Sequence, residues 1–172
     1  AGLWKGLKDL YAIGFIDRLP RLISAQAEGC CPLNRAIMEN KPWHPMEENT
    51  LADSIAVGVP RNADKALMAI RESNGIVVNV TDEEIMAAQK LLGRTCGVFG
   101  EPAGVTGTAG VKKLREQGIL PADATVVSVV TGNGLKDVAN AIKACGEPIS
   151  IPSDMDLLLK AFAENGIHVE ED

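Results

Sequence analysis

The chain has 172 residues, 46% of them apolar and 23% charged, with a formal net charge of −6. A chain of that length buries roughly 70% of its unfolded surface, and this composition belongs to a folded globular domain rather than a disordered segment. No apolar run approaches the roughly 20 residues of a membrane span, the opening residues do not read as a secretory leader, and the scattered Lys and Arg argue against nucleic-acid phosphates as a partner.

In chain order, Leu3, Leu7 and Leu10 recur at helical spacing from about residue 2 to 13, with Gly14 as the stop. Residues 21–27 (RLISAQA) read as a short strand. Pro32 suits the first position of a helix that carries Leu33, Ala36 and Ile37 on one face and exits at Asn40. Residues 41–53 (KPWHPMEENTLAD) form the longest loop. Asn62 is positioned to cap a helix reaching about Ser73, with Leu67 and Ile70 inward and Asn74-Gly75 as its end. Residues 75–80 (GIVVNV) are β-branched enough for a strand. Thr81 and Glu84 have the spacing of a capping box ahead of a helix whose buried stripe is Ile85, Ala88, Leu91 and Leu92.

The run GEPAGVTGTAG (100–110) is rich in small residues and passes into a helix closed by Gly118. TVVSVV (125–130) is the most strand-like segment of all, apolar enough to be buried on both faces. Helices are expected at 135–145 and from a Ser153 cap to Asn165. Strands alternate with helices, no internal repeat is visible, and no linker divides the chain. The expectation is a single α/β domain over residues 1–172, with three α/β/α layers around a mostly parallel sheet.

Four cysteines (30, 31, 96 and 145) show no CxxC spacing, and the adjacent pair is badly placed for a mutual disulfide. They read as buried thiols in a reducing cytoplasm. His44 and His168 have no carboxylate or thiol at metal-motif spacing, so neither a zinc site nor a Ser-His-Asp triad is expected.

Three stretches carry candidate chemistry. In TGNG (131–134) a hydroxyl falls at the carboxyl end of the expected strand, where ligands sit in open α/β sheets, and two glycines let the backbone approach closely. The motif lacks the third glycine of a dinucleotide fingerprint and the GK[ST] of a P-loop, so spacing alone leaves a ligand contact and a structural turn equally open. In EPAG (101–104) an acidic residue precedes a proline at a helix start, which serves either a site or close packing. In TLADS (50–54) Asp53 or Ser54 caps a short helix or faces a ligand.

Taken in order, TLADSIAVGVP, EPAGVTGTAG and VVSVVTGNGLKD resemble the threonine synthase family of pyridoxal-phosphate (PLP) enzymes, of the second PLP fold type. RLPRLISAQAEGCCPL resembles the strand and turn just after that family's phosphate loop, so the likeness runs along nearly the whole chain. TGNGLKD discriminates best, because the family typically shows TGHGLKD where related dehydratases carry a serine- and glycine-rich turn. The resemblance implies that Thr131 hydrogen-bonds the pyridine nitrogen of PLP, that Ser54 packs on the ring face where the family often has Ala or Gly, that Glu101 lies near the ring, and that Gly132 lets the backbone pass the cofactor edge. Asn133 stands where the family has His, which leaves that side chain without an implied role.

The resemblance also implies parts that this sequence does not carry. The family's Schiff-base lysine sits in a stretch resembling Ser-Phe-Lys-Asp, and none of the ten lysines here has that context. The phosphate loop is expected just before Ala1, and the chain opens Ala-Gly-Leu-Trp directly into a helical pattern. The chain is therefore expected to be the C-terminal portion of an enzyme that converts O-phospho-L-homoserine and water to L-threonine and phosphate. On that expectation it holds one wall of the pocket and no catalytic residue of its own. It is inactive alone, and PLP is bound by the longer protein. Apolar surface left by the missing part leads to association or to a re-docked first helix. The alternatives are a threonine or serine dehydratase and a non-catalytic module for a small anion.

Overall fold

The computed structural model describes residues 1–167; His168, read above as unsuited to a metal site, lies outside the described residues. Two strands, β1 (Ile23–Ala27) and β2 (Ile76–Val80), pair in parallel with Ile23 opposite Ile76 and Ala27 opposite Val80. The sequence of β1 alternates strictly and that of β2 is β-branched, and the pleat sends alternate residues to opposite faces. Ala25, Ala27, Val78 and Val80 face helix α5 (Pro102–Glu116), whose Gly110 lies so close that a Cβ there would sit 2.8 Å from both Ala25 Cβ and Val78 Cγ1. On the other face Ser24, Gln26 and Asn79 meet helix α2 (Pro32–Met38) through one buried side chain, Asn34. The Asn34 amide donates to the Val78 carbonyl and to Asn79 Oδ1, and its oxygen accepts from the Ser24 hydroxyl. One face is sealed by apolar contact and the other by a satisfied polar network, the only condition under which a polar group is tolerated there.

Further helices pack on these layers. Helix α3 (Ala63–Glu72) buries Leu67 and Ile70 as expected and packs beside α2. Helix α4 (Asp82–Cys96) starts with the expected capping box: Glu84 N donates to Thr81 Oγ1, and Thr81 N donates to Glu84 Oε2. It packs along α5, with Ile85 and Ala88 buried, while Leu91 is exposed. Helix α1 (Gly2–Ala12) is held to the end of α3 by Trp4, whose Nε1 donates to Glu72 Oε2 at 2.7 Å; Tyr11 stays exposed. Helices α6 (Val138–Cys145) and α7 (Met155–Glu164) close the described chain. No helix among the described residues is long and apolar enough to cross a membrane.

Several local expectations change. TVVSVV is not a ladder strand: it runs without a strand partner among the described residues, and Val127 and Val129 are 86% and 67% exposed. β-propensity is realised only beside a partner edge, and none of the described residues supplies one here. Its inner side still lies on α5 and the chain just ahead of it: a Cβ on Gly107 of α5 would sit 2.9 Å from Ser128 Oγ, and one on Gly100 would sit 2.4 Å from Val130 Cγ1. The helix expected from Leu135 begins at Val138, after a 3-10 turn at Gly134–Lys136. Asn62 makes no capping bond, and α7 is capped by Asp154, not Ser153, through Leu157 N at 3.0 Å. Only Cys30 and Cys31 are buried; Cys96 and Cys145 are exposed, and all four are free.

Candidate active site

The three candidate stretches meet. The 3-10 turn Asp53–Ile55, the start of α5 and the 131–134 turn lie together. Residues 99–101 and 132–134 run antiparallel: Glu101 N donates to the Gly132 carbonyl and Gly134 N donates to the Phe99 carbonyl, each at 2.9 Å. Two glycines make this approach possible. A Cβ on Gly132 would sit 2.1 Å from Glu101 Oε1, and one on Gly104 would sit 3.1 Å from Gly132 N. The chain ahead of α5 is fixed from below by the buried Gln89, whose Nε2 donates to the Gly100 carbonyl at 2.8 Å. The amide oxygen of Gln89, Oε1, is buried with no partner among the described residues.

Glu101 is the buried charge of the site, with only 8% of its side chain exposed. Burying a lone carboxylate is costly, so it needs a cation. Lys136 supplies it: Nζ lies 2.9 Å from Glu101 Oε2 and 3.3 Å from Ser54 Oγ. The Glu101 hydrogen bond, with the charges of Glu101, Asp53 and Asp137, raises the Lys136 pKa above its ordinary value of 10.5. The Ser54 hydroxyl in turn reaches Asp53 Oδ1 at 3.1 Å.

Loop 50–54 is anchored from two further elements. Asp82, the first residue of α4, accepts from Thr50 Oγ1 at 2.6 Å and from Leu51 N at 3.0 Å. Asn140 of α6 donates to the Leu51 carbonyl at 3.3 Å and is itself fixed by Asp137. Thr131 stands exposed at the end of the 125–130 stretch, and Ser54 is exposed as well. Asn133 has a structural use: its Oδ1 accepts from Leu135 N and opens the 3-10 turn.

The geometry thus joins Ser54, Glu101 and Gly132, and it places Thr131 at the lip of the same turn. Lys136, Asp82 and Asn140 carry as much of the arrangement, yet spacing does not single them out. Lys136 lies inside TGNGLKD, and its signal is the nearby buried acid that a sequence does not display. Asp82 reads simply as a favourable first-turn acid.

A family model described as "Pyridoxal-phosphate dependent enzyme" matches residues 1–132. Among curated relatives, a threonine synthase of Methanosarcina acetivorans is 44% identical over 162 residues, covering 93% of this chain and 40% of its own length. One of Methanocaldococcus jannaschii is 45% identical over 166 residues, covering 95% and 41%. The chain thus spans about two-fifths of the length of the curated relatives it matches. Among solved structures, maize serine racemase aligns with a TM-score of 0.57 at 18% identity, covering 91% of this chain and 43% of that one. Threonine synthase from Escherichia coli aligns with a TM-score of 0.59 at 20% identity, covering 83% and 32%. At those identities the structures establish an α/β fold shared with PLP enzymes and nothing finer. With three-quarters of the chain inside the family model and the small-residue turns meeting at one place, the chain belongs to the pyridoxal-phosphate-dependent enzyme family.

Proposed function

We propose that this chain forms the C-terminal portion of a threonine synthase, and that the surface shared by Ser54, Glu101, Thr131 and Gly132 is one wall of its PLP pocket. The observation that carries this reading is the level of identity with threonine synthases, 44–45% along more than nine-tenths of the chain, with the sequence stretches that resemble that family meeting in space.

The donor set suits a pyridine ring. Thr131 offers an uncharged hydroxyl that donates to a ring nitrogen without protonating it, whereas an aspartate would favour the pyridinium. The carboxylate beside that position, Glu101, is already neutralised by Lys136, so it adds little pull on a ring proton. Ser54 is small enough to lie against a ring face. Gly132 and Gly104 keep side chains out of the space between the turn and α5. When bound, PLP supplies an electron sink for elimination and replacement on an amino acid. This chain binds and orients; the residue that moves the substrate proton belongs to the lysine-bearing segment that the reading requires ahead of it. Lys136 does not fill that role, because its pairing with Glu101 favours the charged, non-nucleophilic form. A cytoplasmic setting accompanies the reading and agrees with four unpaired cysteines.

The test is a substrate panel on the protein in which this chain follows its preceding segment. Threonine and phosphate formed in equal amounts from O-phosphohomoserine support the synthase. Ammonia released from threonine, with no phosphate from O-phosphohomoserine, replaces it with a dehydratase. Threonine formed by the isolated 172-residue chain with PLP contradicts the assignment of the anchoring lysine to a preceding segment.

A further inference from the structure

We propose that Lys136 is a positioning residue: by pairing with Glu101 and hydrogen-bonding Ser54, it clamps loop 50–55, the start of α5 and the 131–134 turn into one arrangement. The importance of that arrangement for catalysis rests on the reading of Thr131 and Ser54 as cofactor-facing, but the clamp is a property of this chain alone.

Among the described residues, Lys136 is hydrogen-bonded or ion-paired to both Glu101 and Ser54. The two belong to segments 47 residues apart that meet through apolar packing of Ala52 and Ile55 on the core shared with α5, while their other polar anchors lie elsewhere: loop 50–54 on Asp82 and Asn140, and the α5 start on Gln89 and the 132–134 backbone. Lys136 adds the polar link between them, with contacts of 2.9 and 3.3 Å. Its partner is a carboxylate only 8% exposed, while the Lys136 side chain is itself 61% exposed, so the pair joins a buried acid to a solvated cation. Glu101 also packs closely under Gly132, with no room for a side chain between them, so the carboxylate lies against the turn that carries Thr131. The charges facing Lys136 are Glu101 from the α5 start, Asp53 from loop 50–55 and Asp137 from the head of α6, all acidic. A neutral side chain at 136 leaves Glu101 buried without its cation, and an arginine keeps both the charge and the reach.

The test uses the 172-residue chain without cofactor, so failure of the clamp and failure of the PLP reading are separate results. Amide exchange is followed at Glu101 and Gly134, whose N–H groups bond Gly132 and Phe99 across the turn, with Ile85 and Ala66 in α4 and α3 as references. Lys136→Met is expected to lower protection at Glu101 and Gly134 at least about tenfold, the scale of a lost charge-assisted hydrogen bond, and to leave the references unchanged. Lys136→Arg is expected to restore most of it. In a Glu101→Gln background, Lys136→Met is expected to add little. The Lys136 Cε resonance is expected to titrate above 10.5 in the parent chain and to fall back toward that value in Glu101→Gln. Unchanged protection in Lys136→Met, an arginine that fails as the methionine does, or an equal loss at the reference amides overturns the clamp. If Lys136→Met does not fold, a Lys136 Cε titration that is the same in the parent and Glu101→Gln chains overturns it.

Discussion

At the scale of single residues, the site depends on the absence of side chains as much as on their presence. Gly132 is the sharpest case. The atoms that a Cβ would meet are the Glu101 carboxylate and its stem, at 2.1 to 2.8 Å, and that side chain is buried and already engaged by Lys136. Gly132→Ala is therefore expected to expel Glu101 from its place. The expected cost is about 1–3 kcal/mol, read as a lower urea midpoint with an unchanged slope. A midpoint equal to that of the parent chain contradicts the packing described for the turn. Asn133 illustrates a different lesson: its side chain opens a 3-10 turn, so a structural use accounts for it without any contact to a ligand.

At the scale of elements, caps and docking contacts make separable predictions. Thr81 and Glu84 close a reciprocal box at the start of α4, and Glu84 also pairs with Lys113 of α5 at 2.9 Å. Thr81→Ala is expected to destabilise the chain by about 1 kcal/mol in denaturant titration, and Thr81→Ser to recover most of that. Burial raises the Glu84 pKa, but the hydrogen bonds from Lys113 and the Thr81 amide outweigh it and leave the net shift downward. Helix α1 is held by a second acid. Hydrogen bonds from Trp4 and Lys8 lower the Glu72 pKa below its ordinary value of 4.5. A carboxylate lowered in the docked state favours docking above that value and loses the effect as pH falls through the depressed one. Trp4 fluorescence is therefore expected to shift to the red on acidification below pH 4.5, before the far-ultraviolet helical signal collapses. In Glu72→Gln the Trp4 emission is expected to keep one wavelength across that range, and an acid shift that persists in this variant contradicts the role given to Glu72.

The elements also show how far the sequence is readable. Strict alternation in ISAQA and the β-branching of IVVNV suffice for β1 and β2, because each face has a helix to meet. The Thr81–Glu84 box is local, and local spacing reveals it. TVVSVV has the strongest strand signal and forms no ladder, because hydrogen bonding between strands requires a neighbour that propensity cannot supply. In the same way TLADS, EPAG and TGNG are visible as motifs, whereas Lys136 is not. Its partners Glu101 and Ser54 lie 35 and 82 residues away, and only the fold brings them within reach.

At the scale of the whole molecule, one surface stands apart. Val127 and Val129 project from an extended stretch whose inner side lies on the small-residue face of α5, and Leu135 and Val138 are exposed as well. An unpaired extended segment with apolar residues facing outward is a template for pairing with another chain. The isolated chain is expected to associate at micromolar concentration and to bind a hydrophobic dye, and Val127→Lys with Val129→Lys is expected to reduce both in sedimentation and fluorescence. A monomer that binds no dye contradicts this. The central claim concerns the hydroxyl at the end of the same segment. It is tested most directly by the nitrogen-15 resonance of ring-labelled PLP in the longer protein proposed above. The account predicts an unprotonated pyridine nitrogen in the parent protein and a pyridinium in Thr131→Asp. A pyridinium in the parent, or one resonance position shared by both proteins, would contradict it.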